Sequence, residues 1–456
     1  MPEPDVYVIQ GVEPEVGAYA MAKYSRSALS MRESLRELDG QRAEKFLNTF
    51  YFQYGHRSIA DLAHLSFAIE RCSILAAIEV ADEARWDGQE RSTRYQEFRR
   101  SGFITPEDAP AGYDENIDAL FTAYEAVSAQ VADYLATQFP RPEAMKPEAY
   151  KRTLRARAFD AGRYLLPLAT ATSLGQIVSA RTLEQQIVRL LSSAYAECRA
   201  LGAKLKAAAS APGAVPTLVK YTDPSPYLID SRAALAQAAT ELLAGAKPDA
   251  GPRVDRVDLV APPALEIEIA ASLLYPHCHH AYRQVIAAVA ALSAARRDEL
   301  IALGTAARGS HDELLRPYQA GQPFQFDLLI DIGSFRDFHR HRRCVQLHQD
   351  YTPAHGYETP AEIHAAGAAP VYDAAMRAAA STSTPYTLPL GYRKRSLFKM
   401  DFAEAVYIAE LRTGTGGHPS YRSAAWDMYE ALRRAHPALT QSLRVTPLTV
   451  TSPLQR

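Results

Sequence analysis

Tyr164-Leu-Leu-Pro-Leu168 and Tyr386-Thr-Leu-Pro-Leu390 are one motif written twice, each at the end of a helical stretch. A repeat at this separation decides the fold question, because each half must then be a module of its own. Two further pairs keep the same order, Gly55-His56 with Ser310-His311, and Phe67-Ala-Ile-Glu70 with Phe326-Asp-Leu-Leu-Ile330. Three landmarks in order mark an internal duplication. Between the halves, Ala244-Gly-Ala-Lys-Pro-Asp-Ala-Gly-Pro252 strings together residues that sustain neither helix nor strand and reads as a linker. The expected division is a first domain over 1–243, a linker over 244–253 with the boundary near Gly251, and a second domain over 254–456.

The 456 residues, 47% hydrophobic and 22% charged, suffice for two domains of the usual ~100–200 residues. A formal net charge of −2 supplies no global basic field for nucleic acid, so an anionic ligand must be held by a local cluster of cations. Cys72, Cys198, Cys278 and Cys344 are scattered without CxxC spacing, which argues against a disulfide framework or a zinc ribbon. The first residues lack a signal-peptide layout, and no apolar run approaches the ~20 residues that span a bilayer. A cytoplasmic protein with no membrane partner is expected.

Apolar residues fall at helical spacing over Ser30–Tyr54 and Pro263–Leu303, and Gly40 and Pro276 divide each into two expected helices. Asp255-Arg-Val-Asp-Leu-Val260 alternates, and Phe326–Ile332 is short enough for a buried strand. The expected class is α+β, helix-rich with a small mixed or antiparallel sheet in each half.

The densest charge lies in Phe335-Arg-Asp-Phe-His-Arg-His-Arg-Arg-Cys344. A solvated basic helix accounts for most such runs. Here the preceding apolar segment favours a place against the core, where like charges need a phosphate or pyrophosphate to neutralise them. If helical, the stretch puts Arg336, Arg340 and Arg343 on one face. Arg343 could lower the pKa of Cys344, but no base accompanies it, and packing is the expected role. His277-Cys278-His279-His280 has no recognised metal spacing, so no metal is expected. Gly414-Thr-Gly-Gly417 is expected to be a turn between helices that aims Tyr421 and Arg422 at the site or a neighbouring subunit.

Arg340-His341-Arg342 resembles the Arg-His-Arg signature of flavin-dependent thymidylate synthases, whose triplet contacts the flavin. The first half resembles the same family over Tyr54-Gly-His-Arg-Ser-Ile-Ala-Asp61 and Gln89-Glu-Arg-Ser-Thr-Arg-Tyr95. Each half keeps a different part of the signature. Asp350 and Thr352 stand where the family has its nucleotide-contacting Ser and Arg, whereas Ser92 and Arg94 keep that end in the first half. Asp82-Glu83-Ala84 stands where the second half has Arg340-His341-Arg342. Arg163 matches a family nucleotide-binding Arg whose counterpart is Pro385, and Arg412 matches another whose counterpart is Leu190.

The resemblance implies a composite site. FAD would be held by Arg340, His341, Arg342 and Arg343, with His56, Ser58 or His311. A uracil nucleotide would be held by Arg94, Arg163, Arg412 and Arg422, with Ser92 and Arg94 as the catalytic pair. It further implies methylation of dUMP to dTMP, methylene-tetrahydrofolate as carbon donor, NADPH as reductant, and a homodimer equivalent to the family's tetramer. Two alternatives stay open: a flavoenzyme acting on another nucleotide or small molecule, and a non-catalytic flavin- or nucleotide-binding regulator.

Overall fold

A computed structural model describes residues 5–24, 27–36, 57–100, 102–249, 255–310, 312–451 and 454. His56, Gly251, His311 and most of the expected Ser30–Tyr54 helices lie outside the described residues. Backbone contacts divide the chain into two compact units. One comprises Met1–Cys72, Glu79–Glu90 and Ser173–Pro226, and the other Ser73–Ile78, Arg91–Thr172 and Tyr227–Arg456.

The first unit carries a three-stranded sheet with β3 (Ala171–Ser179) between β1 (His64–Ser73) and β2 (Asp87–Glu90). β2 runs antiparallel to β3, with Asp87 opposite Ile177. Ser179 ends β3 and starts helix Ala180–Leu191 by accepting the Thr182 N–H, as an N-cap serine does. Leu183, Ile187 and Leu190 recur at helical spacing and are buried. On the partly buried side Arg189 pairs with Glu83 at 2.8 Å.

The second unit carries a four-stranded antiparallel sheet in the order β4 (Val257–Val260), β5 (Phe324–Asp331), β7 (Arg393–Met400), β6 (Val345–His348). Every residue of β5 and β7 is buried, including the cations of Arg393-Lys-Arg-Ser-Leu-Phe-Lys399. Such charges persist inside only when paired. Arg395 meets Asp327 at 2.9 Å and Lys399 meets Glu268 at 2.8 Å. Leu273, Leu274, Tyr275, Tyr282 and Val285 pack over them as the apolar core.

The duplication is visible element by element. β2 begins at 87 and β6 at 345, a separation of 258, and the helices Ile74–Ala81 and Ile332–Phe338 are also 258 apart. Further on, the 3₁₀ turns Arg163–Leu165 and Pro385–Thr387, strands β3 and β7, and helices Ala180–Leu191 and Phe402–Arg412 are each 222 apart. The central strand is the same in both sheets, β3 between β1 and β2, β7 between β5 and β6. At these separations Asp82 corresponds in sequence to Arg340, Arg163 to Pro385 and Leu190 to Arg412.

Several sequence expectations needed correction. Pro263–Leu303 contains three helices, Leu265–Leu274, Tyr282–Ala290 and Ala294–Leu303, because Ser293 caps a new start that the apolar spacing hides. The strand expected over Phe326–Ile332 ends at Asp331, whose carboxylate caps helix Ile332–Phe338. That helix stops at Phe338, so Arg336, Arg340 and Arg343 do not share a helical face. No helix among the described residues is long and apolar enough to cross a membrane.

Candidate functional site

Tyr421 is the hub of a buried polar network in the second unit. The turn after helix Phe402–Arg412 delivers it, and His418 caps the next helix, Pro419–Ala435, by accepting the Ser420 N–H at 3.2 Å. The other ring nitrogen of His418 then donates to the Asp160 carbonyl at 3.0 Å. Burial, then the cations of Arg163 and Arg94, hold the pKa of this imidazole well below its ordinary value.

Two guanidiniums flank Tyr421, Arg94 at 5.8 Å and Arg412 at 5.5 Å from the ring centre. Arg94 is spent on a fork to Asp160 (3.0 and 3.3 Å) and on the Gly416 carbonyl. Arg412 Nε donates to His341 Nε2 at 2.8 Å, and His341 Nδ1 lies 3.1 Å from Glu404. Since Arg Nε–H can only donate, His341 must carry its proton on Nδ1 and donate it in a hydrogen bond to Glu404. Burial lowers the His341 pKa; the Glu404 hydrogen bond opposes this. A neutral imidazole thus aims Arg412.

Arg163 occupies the floor of this region and is 2% exposed. Its Nη1 reaches Asp337 only at 3.7 Å, and Nε and Nη2 have no hydrogen-bond partner. A buried guanidinium with orphan donors is costly to the fold. Gly333 admits it: a Cβ there would come within 3.3 Å of Arg163 Nη2. Close by, the Asp331 carboxylate gathers the Ser334 N–H and hydroxyl and the Ser420 hydroxyl. Tyr164 stacks on His418 at 5.5 Å, and burial pushes its phenol pKa far up.

The remaining expected residues fall in different settings. Arg340 and Arg343 are exposed and Arg342 is half-buried, so the triplet lies at the surface except for His341. The expectation that the cluster lies against the core is corrected for its arginines: the chain leaves the helix at Phe338, the two histidines His339 and His341 are buried, and Arg340 and Arg343 face solvent. Arg422 is buried but spent on the carbonyls of Thr413, Val450 and Pro447. Ser92 accepts the Arg94 N–H at 3.2 Å. Ser58 is exposed in the first unit. Cys344 donates to the His341 carbonyl, and burial pushes its thiol up to about 12, the opposite of activation.

Sequence reasoning missed Asp160, Asp331, Ser334, Glu404, His418 and Ser420. One signal was available: Asp331-Ile-Gly-Ser334 after an apolar strand, and Asp401-Phe-Ala-Glu404, are helix-start patterns. Asp160 carried none, because its partner Arg94 is 66 positions away.

Small antiparallel sheets among many helices, with Arg94 and Arg412 on either side of Tyr421, define a helix-rich α+β protein. The family model described as thymidylate synthase complementing protein matches residues 8–211 and 279–438, and the chain belongs to that family. It is similar to a UPF0159 protein of Chlamydia muridarum, 27% identical with 96% of this chain and 91% of that protein covered. It is also similar to a UPF0159 protein of Thermoplasma acidophilum, 24% identical with 92% and 93% covered. Among solved structures it resembles a flavin-dependent thymidylate synthase ThyX of Helicobacter pylori complexed with FAD and dUMP. That likeness has 15% identity, 44% of this chain and 91% of that one covered, and TM-score 0.31. Another is a UMP/dUMP methylase of Streptomyces cacaoi, at 16% identity, 45% and 88% covered, and TM-score 0.28.

Proposed function

We propose that the chain binds FAD and a uracil nucleotide at one composite site and methylates the nucleotide, as dUMP to dTMP, with methylene-tetrahydrofolate and NADPH as co-substrates. Family membership supports the reaction class. The observation that carries the site is Arg163, a buried guanidinium from the first half with two unpartnered donors, whose charge acts on His418, the ring that lies against Tyr421 of the second half. A phosphate satisfies Arg163 Nε and Nη2, and Arg412, held by His341, supplies a second cation beside it. Arg94, closed on Asp160, positions Tyr421 and the Gly416 turn.

The exposed guanidinium of Arg340, with Arg342 and Arg343 beside it, fits the phosphates of FAD. Bound FAD, once reduced by NADPH, would supply the hydride that completes the methyl group. The chain's own residues bind and orient: Arg163 and Arg412 fix the phosphate, Tyr421 fixes the arginines, and the buried wall of Tyr164 and His418 excludes water. The 1–243, 244–253 and 254–456 division, supported by the two matched stretches, and a homodimer built from four half-chains belong to the same proposal. One observation favours a flavoenzyme with another acceptor: Arg94, the family's nucleotide contact, is already sealed to Asp160. The test is incubation of the FAD-loaded protein with dUMP, methylene-tetrahydrofolate and NADPH, read by mass spectrometry for dTMP. FAD reduction without dTMP supports the other-acceptor reading, and failure to retain FAD rejects both.

A further inference from the structure

On one face of β7, Arg393, Arg395, Leu397 and Lys399 succeed one another at alternate positions, all buried. Two of the three cations on this face have acids, Lys399 with Glu268 and Arg395 with Asp327. Asp327 is also engaged elsewhere, accepting from the Tyr275 hydroxyl and the Tyr282 N–H. Arg393 is different. It is 8% exposed, its Nε has no hydrogen-bond partner, and among the described residues no carboxylate reaches it at ion-pair distance.

The surroundings of Arg393 are built rather than left over. Its N–H donates to the carbonyl of Gly356, and Gly356 has φ +69, a conformation that side-chain-bearing residues avoid. A Cβ at Gly356 would lie 3.4 Å from Arg393 Nη2, so the glycine also makes room for the guanidinium. The preceding residue, His355, is 1% exposed with both ring nitrogens unpartnered, and His279, its ring 5.9 Å away, has an unpartnered Nδ1. Burial and the nearby cations of Arg395, Arg393 and Lys394 hold His355 neutral, down to about 3, so it offers one donor and one acceptor. Buried polar groups are ordinarily satisfied, and three unpaired ring nitrogens beside a guanidinium whose own Nε is unpaired, and on which Glu358 acts only from beyond ion-pair distance, call for a ligand.

We propose that Arg393, His355 and His279 form a second anion site, distinct from the Arg163 region and suited to a phosphate-type oxyanion, free or as the monoester of a nucleotide. Its charge is the complement of what the site lacks, and the planar fork of Arg393 suits two phosphate oxygens. The inference does not rest on the methylation reaction.

The test is calorimetric titration of the full-length protein with inorganic phosphate, using wild type, Arg163→Met, Arg393→Met and the double variant. Two phosphates per chain are expected for wild type, one for each single variant and none for the double, with affinity at the altered site falling about thirtyfold or more. Binding by Arg393→Met equal to wild type would overturn the proposal. Loss in Arg393→Met alone leaves it standing and rejects the Arg163 phosphate role instead. UMP and uridine identify the source: UMP binding at least as tightly as phosphate to Arg163→Met, with uridine silent, indicates a nucleotide, whereas phosphate binding alone indicates the free ion. Crystals of the unaltered protein soaked in selenate guard against a misfolded variant. An anomalous selenium peak beside Arg393 is expected, and its absence where a peak stands beside Arg163 contradicts the site.

Discussion

The Leu168 N–H donates to the Leu388 carbonyl at 3.0 Å, and the Leu390 N–H returns a bond to the Leu166 carbonyl at 2.9 Å. Leu166 and Leu168 correspond to Leu388 and Leu390 by the 222-residue separation, so the two copies of the Leu-Pro motif pair reciprocally. This is the isologous contact of a two-fold dimer, made within one chain. The motif that betrays the duplication is also the seam that joins its copies.

That seam is load-sharing, and its loss should be symmetric. Leu168 is fully buried and Leu388 nearly so. Leu168→Ala and Leu388→Ala are each expected to cost about 2–5 kcal/mol. Because they are neighbours, the double variant should cost less or more than the sum by at least about 0.5 kcal/mol in denaturant unfolding. Strict additivity would show that the two leucine side chains do not pack on one another across the seam.

His341 should matter to the fold as well as to binding. His341→Leu leaves the Glu404 carboxylate buried without its main partner, an expected loss of about 3–5 kcal/mol. His341→Asn, which can still donate toward Glu404, should recover part of it. Urea unfolding of the two variants checks the order.

Arg340→Ala should behave in the opposite way. The side chain is exposed, so stability should stay within about 0.5 kcal/mol of wild type. Flavin retention, read from the yellow absorbance of the purified protein, should fall sharply. A yellow Arg340→Ala protein would remove the triplet from the flavin site.

Acid should destabilise the protein through its buried histidines. His355 has a folded pKa of about 3 against an unfolded 6.5, and His418 and His341 are shifted the same way. The unfolded chain therefore binds protons below 6.5 that the folded chain refuses, so stability is full above 6.5 and falls as pH drops. His355 alone should account for about 2 kcal/mol between pH 6.5 and 5. His355→Phe should flatten the slope of unfolding free energy against pH over that window.

The fold class was legible because the Leu-Pro motif and apolar spacing are local signals. The burial of β7 was not: Arg393-Lys-Arg-Ser396 looks like a surface run until Asp327, from another strand, arrives beside Arg395. The site was half legible. Arg163, Arg412 and His341 stood out as motif residues, and the network holds all three. The state of Arg94 depends on Asp160, and the helix end at Phe338 separates residues that a continued helix would have aligned. Pairing over long separations decides both, and no window of sequence contains it.

Arg163 and Arg412 carry the central claim, that both halves hold one nucleotide. Equilibrium binding of dUMP to wild type, Arg163→Met and Arg412→Met measures it most directly. The account predicts about a thirtyfold or greater loss for each variant, one from each half of the chain. Unchanged dUMP affinity in either variant would contradict it.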